Sequence, residues 1–515
     1  MTVETKVNSN DTGLAFALES SLATLPGTPV WKPLAPNAFG DFGGDYKTKA
    51  RNTINPDRQV NKGGIVGLDS KASFTIDFLP KTLQPLFSGF LFAAYRNKGE
   101  EAVTAVDVDS SNPDEYEVAS TTGFHVGDLI LGSGFTNAGN NTLNKVTAVV
   151  SNTSVEVADG TLTAEASPPS AAKIVAVGYE FGSGELKITT SGLTLPRLER
   201  ASGTKDFTEF GLAAGEWIYI GGDAAGTKFA TAACNGWARV RSIAATYLEL
   251  DKTAGTIADD VGTSKTMQLF FGRFLKNELA ASIVRSTYHI ERTLGTPDDG
   301  EALAQSEYVI GAVGDELKIN CPVEDLATVE MSFMGTGYQP YDQATGPKSG
   351  TRNSAIAEDA FNTASDIKRA KFATCSNSNS NVDPLFTYVG DTTITIKNGV
   401  KGIKAIGVTG STELSTGNFE VSGEFSAQFQ TISLLQARAN NSDVTFDMVL
   451  ARENQGVVID VPLFGMSEGM AEVEKDEPIR VPIKADAATG YDVNSALNFT
   501  LGMTFFDYLP SVATA

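Results

Sequence analysis

The chain carries one strand-then-helix unit twice, and that duplication limits its possible folds more than any other feature. Phe74–Phe78 (FTIDF) alternates as a half-buried strand does and runs into an apolar helical segment, Leu79–Tyr95 (LPKTLQPLFSGFLFAAY). Phe425–Phe429 (FSAQF) alternates in the same way and runs into Gln430–Ala439 (QTISLLQARA). Each is followed by a strand with a basic-acidic pair, Tyr288–Leu294 (YHIERTL) and Met448–Asn454 (MVLAREN), and then by a further pair of strands. The expected fold class is mainly β, with two strand-rich copies each flanked by one helix.

Composition narrows the function. With 515 residues there is room for about three to five domains. The balance of 62 acidic against 40 basic residues, a net charge of −22, argues against a general nucleic-acid binder, whose phosphate contacts need a basic face. The same charge suits a surface that must not stick to DNA, and equally suits plain solubility. The cysteines Cys234, Cys321 and Cys375 form no CxxC pair, which argues against a disulfide framework or a cysteine zinc site. His125 and His289 leave little for metal or general-base work. Residues 1–30 lack a signal-peptide pattern, and the longest apolar run, Leu86–Tyr95, is too short for a span. Assembly in the cytoplasm, away from any membrane, is the expectation.

Along the chain, residues 1–45 read as an N-terminal arm, with four prolines between 13 and 46, of the kind that packs on a neighbour. Residues 46–100 and 275–338 form a discontinuous first copy, 339–383 a polar linker with a short helix at Ala355–Ala370, and 384–515 the second copy. The segment Tyr46–Gly64 reverses the overall charge, with Lys47, Lys49, Arg51, Arg58 and Lys62 against Asp57. Either it is a solvated loop or it docks on an acidic neighbour. Residues 101–182 and 183–274 read as two small inserted β modules, each a small barrel or sandwich. They repeat each other: Gly123–Ile130 (GFHVGDLI) matches Gly211–Ile218 (GLAAGEWI) at an offset of 88, and Thr153–Val157 matches Thr246–Leu250 at 93.

A search for chemistry finds no site. Gly221–Lys228 (GGDAAGTK) spaces its glycines as a phosphate loop does, but it ends Thr-Lys where the loop needs Lys before Ser/Thr. Asp107–Glu117 begins like a calcium loop with Asp107, Asp109 and Ser111, then places Asn112 at the sharp turn and Val118 where a bidentate Glu belongs. No GxSxG or HExxH motif occurs, and Trp31, Trp217 and Trp237 do not make a sugar cleft. His289 reads as a half-buried structural histidine. A spatial carboxylate dyad stays open to sequence reading. No catalytic residue, cofactor or metal is expected.

With these residues laid out, the chain resembles the tail tube (major tail) proteins of long, non-contractile-tailed bacteriophages. The matching features are the arm, the loop around Asn55–Gln59, the strand-helix Phe74–Tyr95, the strands around Ile290–Arg292 and Val313–Ile319, and Val329–Gly337. The resemblance covers about residues 13–100 and 275–340 and extends by duplication to 384–510. It implies two tandem tube-type β-sandwich or split-barrel domains in a self-assembling tail subunit, with the inserted modules as immunoglobulin-like decorations on the outer surface. Ring stacking through the Lys47–Lys62 loop and an acidic lumen through which genomic DNA passes unbound would follow. Three chains would then close a pseudo-hexameric ring. The implied partners are further copies of the chain, a tape-measure protein, and tail-tip or terminator proteins. A carbohydrate-binding adhesin built from the tandem modules is the alternative expectation.

Overall fold

The computed structural model describes residues 7, 9–54, 59–108, 114–295, 305–341, 347–386, 388–490 and 497–514. Strands dominate, and among these residues α-helix is confined to Pro80–Leu91, Ser433–Ala439 and Ser511–Thr514. All of FTIDF but Phe78 lies in the strand Gly64–Asp77, which buries Leu68, Ser70, Ala72, Phe74 and Ile76 on one face and turns Lys71, Ser73 and Thr75 to the other. The expected helix shortens to Pro80–Leu91 because Phe92 enters the left-handed region at φ 48°. Its Gly89 is a packing residue: a Cβ there would lie 2.4 Å from the Tyr288 hydroxyl.

That helix begins without a cap of its own, since Leu79 has no side-chain acceptor. Glu358 supplies one, accepting the Lys81 amide at 2.9 Å and the Thr82 amide at 2.7 Å. Its negative charge also suits the positive end of the helix. Glu358→Ala is expected to cost about 0.5–2 kcal/mol, read as a shift in chemical denaturation. A midpoint equal to the parent's would show that water caps the helix equally well.

The duplication holds at the level of strand register. In the first copy Tyr288 faces Ala312 and Ile290 faces Val309 across a bulge, and Gly314 to Glu316 spans a second bulge. In the second copy Val444 faces Phe464 and Phe446 faces Val461, with the second bulge from Met466 to Glu468. Both bulges therefore recur 152 residues later on the long strand (312 to 464, 314 to 466). The same shift carries Met331, which faces Phe74, onto Ile483, which faces Phe425. FTIDF and FSAQF are thus aligned residue for residue. Bulges mark position well, because each one re-aims the strand that carries it.

The equivalence reaches segments the sequence reading treated as unrelated. Gly13–Leu18, read as part of an arm that packs on a neighbour, pairs within this chain, placing Leu18 opposite Tyr288. Ile367–Thr374, read as linker and partly as helix, places Thr374 opposite Val444. Since Tyr288 and Val444 are equivalent, arm and linker supply the same strand of the two copies. No helix forms at 355–370; Phe372 is fully buried, and that burial together with pairing overrides the local preference. The basic-acidic pairs also match differently from their sequence alignment: Glu291 corresponds to Asp447, and both are buried. One continuous hydrophobic core joins the copies, running from Phe74 and Phe333 to Phe372 and Phe446.

The insert has two separate cores, one from Val103 to Ala176 and one from Tyr179 to Phe271. Gly127 (φ 93°) and Gly215 (φ 91°) sit at equivalent turns, where only glycine takes such angles cheaply. After each glycine a carboxylate caps its own turn: Asp128 accepts the His125 amide at 2.7 Å and Glu216 the Ala213 amide at 3.1 Å. A second shared turn escaped the sequence reading. Asn141 clasps Phe135 through both amide directions, and Asn235 clasps Phe229 in the same way.

Candidate functional site: sheet edges, loops and docked modules

The two copies join edge to edge. Glu316–Cys321 of the first copy pairs antiparallel with Thr392–Lys397 of the second, from Glu316 opposite Lys397 to Cys321 opposite Thr392. The ladder thus runs through eight strands: Ala38–Lys49, Gly64–Asp77, Thr328–Gly335, Gln305–Cys321, Val389–Lys397, Glu420–Gln428, Arg480–Ala488 and Gln455–Glu468. Both ends are open. Among the described residues, Ala38–Lys49 pairs on one side only and Gly465–Glu468 pairs only with Arg480–Ala488. Unpaired edges of this length invite another strand.

At one rim of the sheet lie the long hairpin loops of both copies. Lys47 forms an ion pair with Asp69, and Lys49, Arg51 and Lys62 are exposed beside Ile54 and Val60, which have no apolar cover. Arg58, the remaining member of the basic set, lies outside the described residues. The second copy's loop folds back on the first copy instead: Lys404 reaches Asp69 at 2.8 Å, and Val400 and Leu414 pack with Phe92 and Val313. Hydrogen bonds from Lys404 and Lys47 hold the Asp69 carboxyl below its ordinary value. At the opposite rim the turns 322–327 and 474–479 match in length. Glu324 (φ 58°) and Asp476 (φ 65°) occupy the same left-handed position in them.

The sheet face turned away from the core is polar, and most of its lysines are held by carboxylates. Lys318 lies 3.2 Å from Glu316, Lys397 lies 3.3 Å from the same residue, and Lys484 lies 3.4 Å from Glu468. Glu316 and Glu468 are equivalent positions. Burial would raise the Glu316 carboxyl, but hydrogen bonds from the two lysines bring it below its ordinary value.

The inserted modules leave the first copy and dock on the back of the second. Trp217, Trp237 and Phe270 pack with Val449, Val458 and Phe506, and the Trp237 and Phe506 rings stand 5.3 Å apart. Beside this contact is a buried charge network. Arg239 donates to both oxygens of Asp251 at 2.9 Å and to Asp460 at 2.8 and 3.1 Å. Lys252 reaches Thr445 at 2.7 Å, Asp447 at 2.9 Å and Asp460 at 3.0 Å, and Arg369 also binds Asp447. Burial would raise the Asp447 carboxyl, yet Arg369 and Lys252 hold it well below the usual carboxylate range. No sequence motif announced this network, because its members come from segments some 200 residues apart.

The chemistry-like motifs stay apart from one another. Gly221–Lys228 folds as a closed turn, Gly222 donating to Thr227 at 3.0 Å and Gly221 to Gln268 at 2.8 Å, so these amides are already used. Asp107, Glu115 and Glu117 bring carboxylate oxygens within 4.8 Å of one another, fewer ligands than the six to eight oxygens calcium takes. Glu115 is also bound to Ser154. His289 is buried and bonded to Glu19 at 2.5 Å, which also accepts from Thr287 and Gly311, so it ties Glu19 beside the first strand into the fold. Among the described residues no helix is long and apolar enough to cross a membrane.

Comparison with curated proteins returns no match. The family model of phage tail tube proteins, in contrast, matches residues 9–487, which takes in the first copy, the inserted modules, the junction and the second copy as far as residue 487. On that match the chain belongs to the phage tail tube protein family.

Proposed function

We propose that three copies of this chain close a ring of six tube units, and that stacked rings form the conduit of a long, non-contractile phage tail. The observation that carries this reading is the junction inside the chain, where the last sheet strand of one copy pairs with the first of the next. The chain ends in the same two edges left open, so each further chain can repeat the contact until the rotation closes. Eight strands per chain and three chains give a barrel of 24 strands.

Stacking is assigned to the loop bearing Lys47, Lys49, Arg51, Arg58 and Lys62. Its support is charge: the opposite rim carries Glu324 and Asp325 in one turn, and Glu474, Asp476 and Glu477 against Lys475 in the other. The polar sheet face would line the lumen, with lysines neutralised by carboxylates so that DNA slides without sticking. The modules 101–182 and 183–274 then lie outside the barrel, because they cover the back of the second copy. A tape-measure protein and tail-tip or terminator proteins are the further partners, and assembly takes place in the host cytoplasm.

Negative-stain images of purified protein, averaged for symmetry, test the reading. Rings or filaments about 100 Å wide, an order-of-magnitude figure from domain sizes, are expected. The modules should follow three-fold symmetry while the inner barrel repeats six times. Monomers alone at high concentration, or six chains per ring, would overturn it.

A further inference from the structure

Residues 469–473 differ in secondary structure from their counterpart in the first copy although the strand and turn lengths agree. In the first copy the corresponding Leu317–Cys321 is a strand that buries Leu317, Ile319 and Cys321. In the second copy the strand stops at Glu468, and Val473, the counterpart of the buried Cys321, is left 74% exposed. The strand and turn lengths do not explain this, because Thr328 and Arg480 again stand 152 residues apart and face the equivalent Asp77 and Gln428. What differs is the partner: Leu317–Cys321 pairs with Thr392–Ile396, and 469–473 faces an open edge.

We infer that 469–473 becomes a strand when a second copy of this chain lays its Phe39–Asp45 edge alongside, in a register that sets Glu468 opposite Asp45. This rests on the ring reading and adds the contact itself. The register follows from the internal junction. Lys397 faces Glu420 and Asp45 faces Asp69, which are equivalent positions, so Asp45 stands where Lys397 stands. One feature of the new junction is its own. Inside the chain the facing pair is Glu316 and Lys397, 3.3 Å apart; between chains it is two carboxylates. Like charges directly opposite one another weaken a ladder, so closure between chains is weaker than the junction within one and is reserved for conditions that concentrate or template the subunit.

Two variants of the full-length protein test this. With Glu468→Cys and Asp45→Cys together, oxidised assemblies should run as covalent trimers without reductant, because facing Cα atoms about 4.5–5.5 Å apart suit a disulfide. Either single variant should not cross-link in this way. With Asp45→Lys, the concentration needed for ring assembly should fall by up to about fivefold per junction. Rings in the parent together with no trimer from the cysteine pair would overturn the register and leave the ring reading standing. Unchanged or poorer assembly of Asp45→Lys would overturn the charge argument. Absence of rings in the parent would instead remove the ring reading itself.

Discussion

Arg239→Ala is expected to lower stability by about 3–5 kcal/mol, because it removes the two-pronged guanidinium contact from the buried Asp251 and one of the two cations that hold the buried Asp460. Calorimetry checks it, and the loss should centre on the contact between the modules and the second copy. Replacing Arg239, Asp251 and Asp460 together by apolar residues of similar size should recover most of the loss, since a matched set of charges contributes little once its desolvation is counted. A single variant that melts with the parent would show that water reaches the network. The network also sets an acid limit. The Asp447 carboxyl is depressed in the folded chain, so its contribution is fully present above the unfolded value of about 3.9 and is lost as pH falls toward the folded one. Arg369→Gln should shrink that acid-sensitive part.

Phe372→Ala should cost a similar amount, about 3–5 kcal/mol. Phe372 is fully buried and meets Phe386 at 5.5 Å, Phe425 at 5.3 Å and Phe464 at 6.4 Å, so its loss opens the centre of the second copy's core. A denaturation midpoint with parent-like slope and reduced stability is the expected record. A cost below about 1 kcal/mol would mean that the surrounding rings collapse into the gap. Phe372→Leu, which keeps most of the volume, should lie between the two.

These two residues mark where sequence reading ended. The duplication was legible because strands alternate and FTIDF repeats as FSAQF, and alternation reports burial on one face whatever the partner is. The repeat within the modules was legible for a related reason: Gly127 and Gly215 need angles that few other residues accept. Phe372 was not, because its segment is polar and helix-prone taken alone, and its strand exists only through pairing with Val444–Arg452. The arm failed in the same way. Its apolar residues were read as needing a neighbour, and the cover they find is the first copy's own Tyr288–Gly295 strand.

The sequence by itself determined that the chain is β-rich, that it is doubled, that it carries a doubled insert, and that it resembles a tube subunit. Each of these is written in local periodicity or in turns with strict backbone demands. Only the tertiary structure decided that the copies share a core and an edge, that the insert of the first copy braces the second, and which two edges stay open. Those outcomes depend on pairing between segments far apart in the chain, and a strand's hydrogen-bonding edge is the same backbone in every sequence, so no local pattern names its partner.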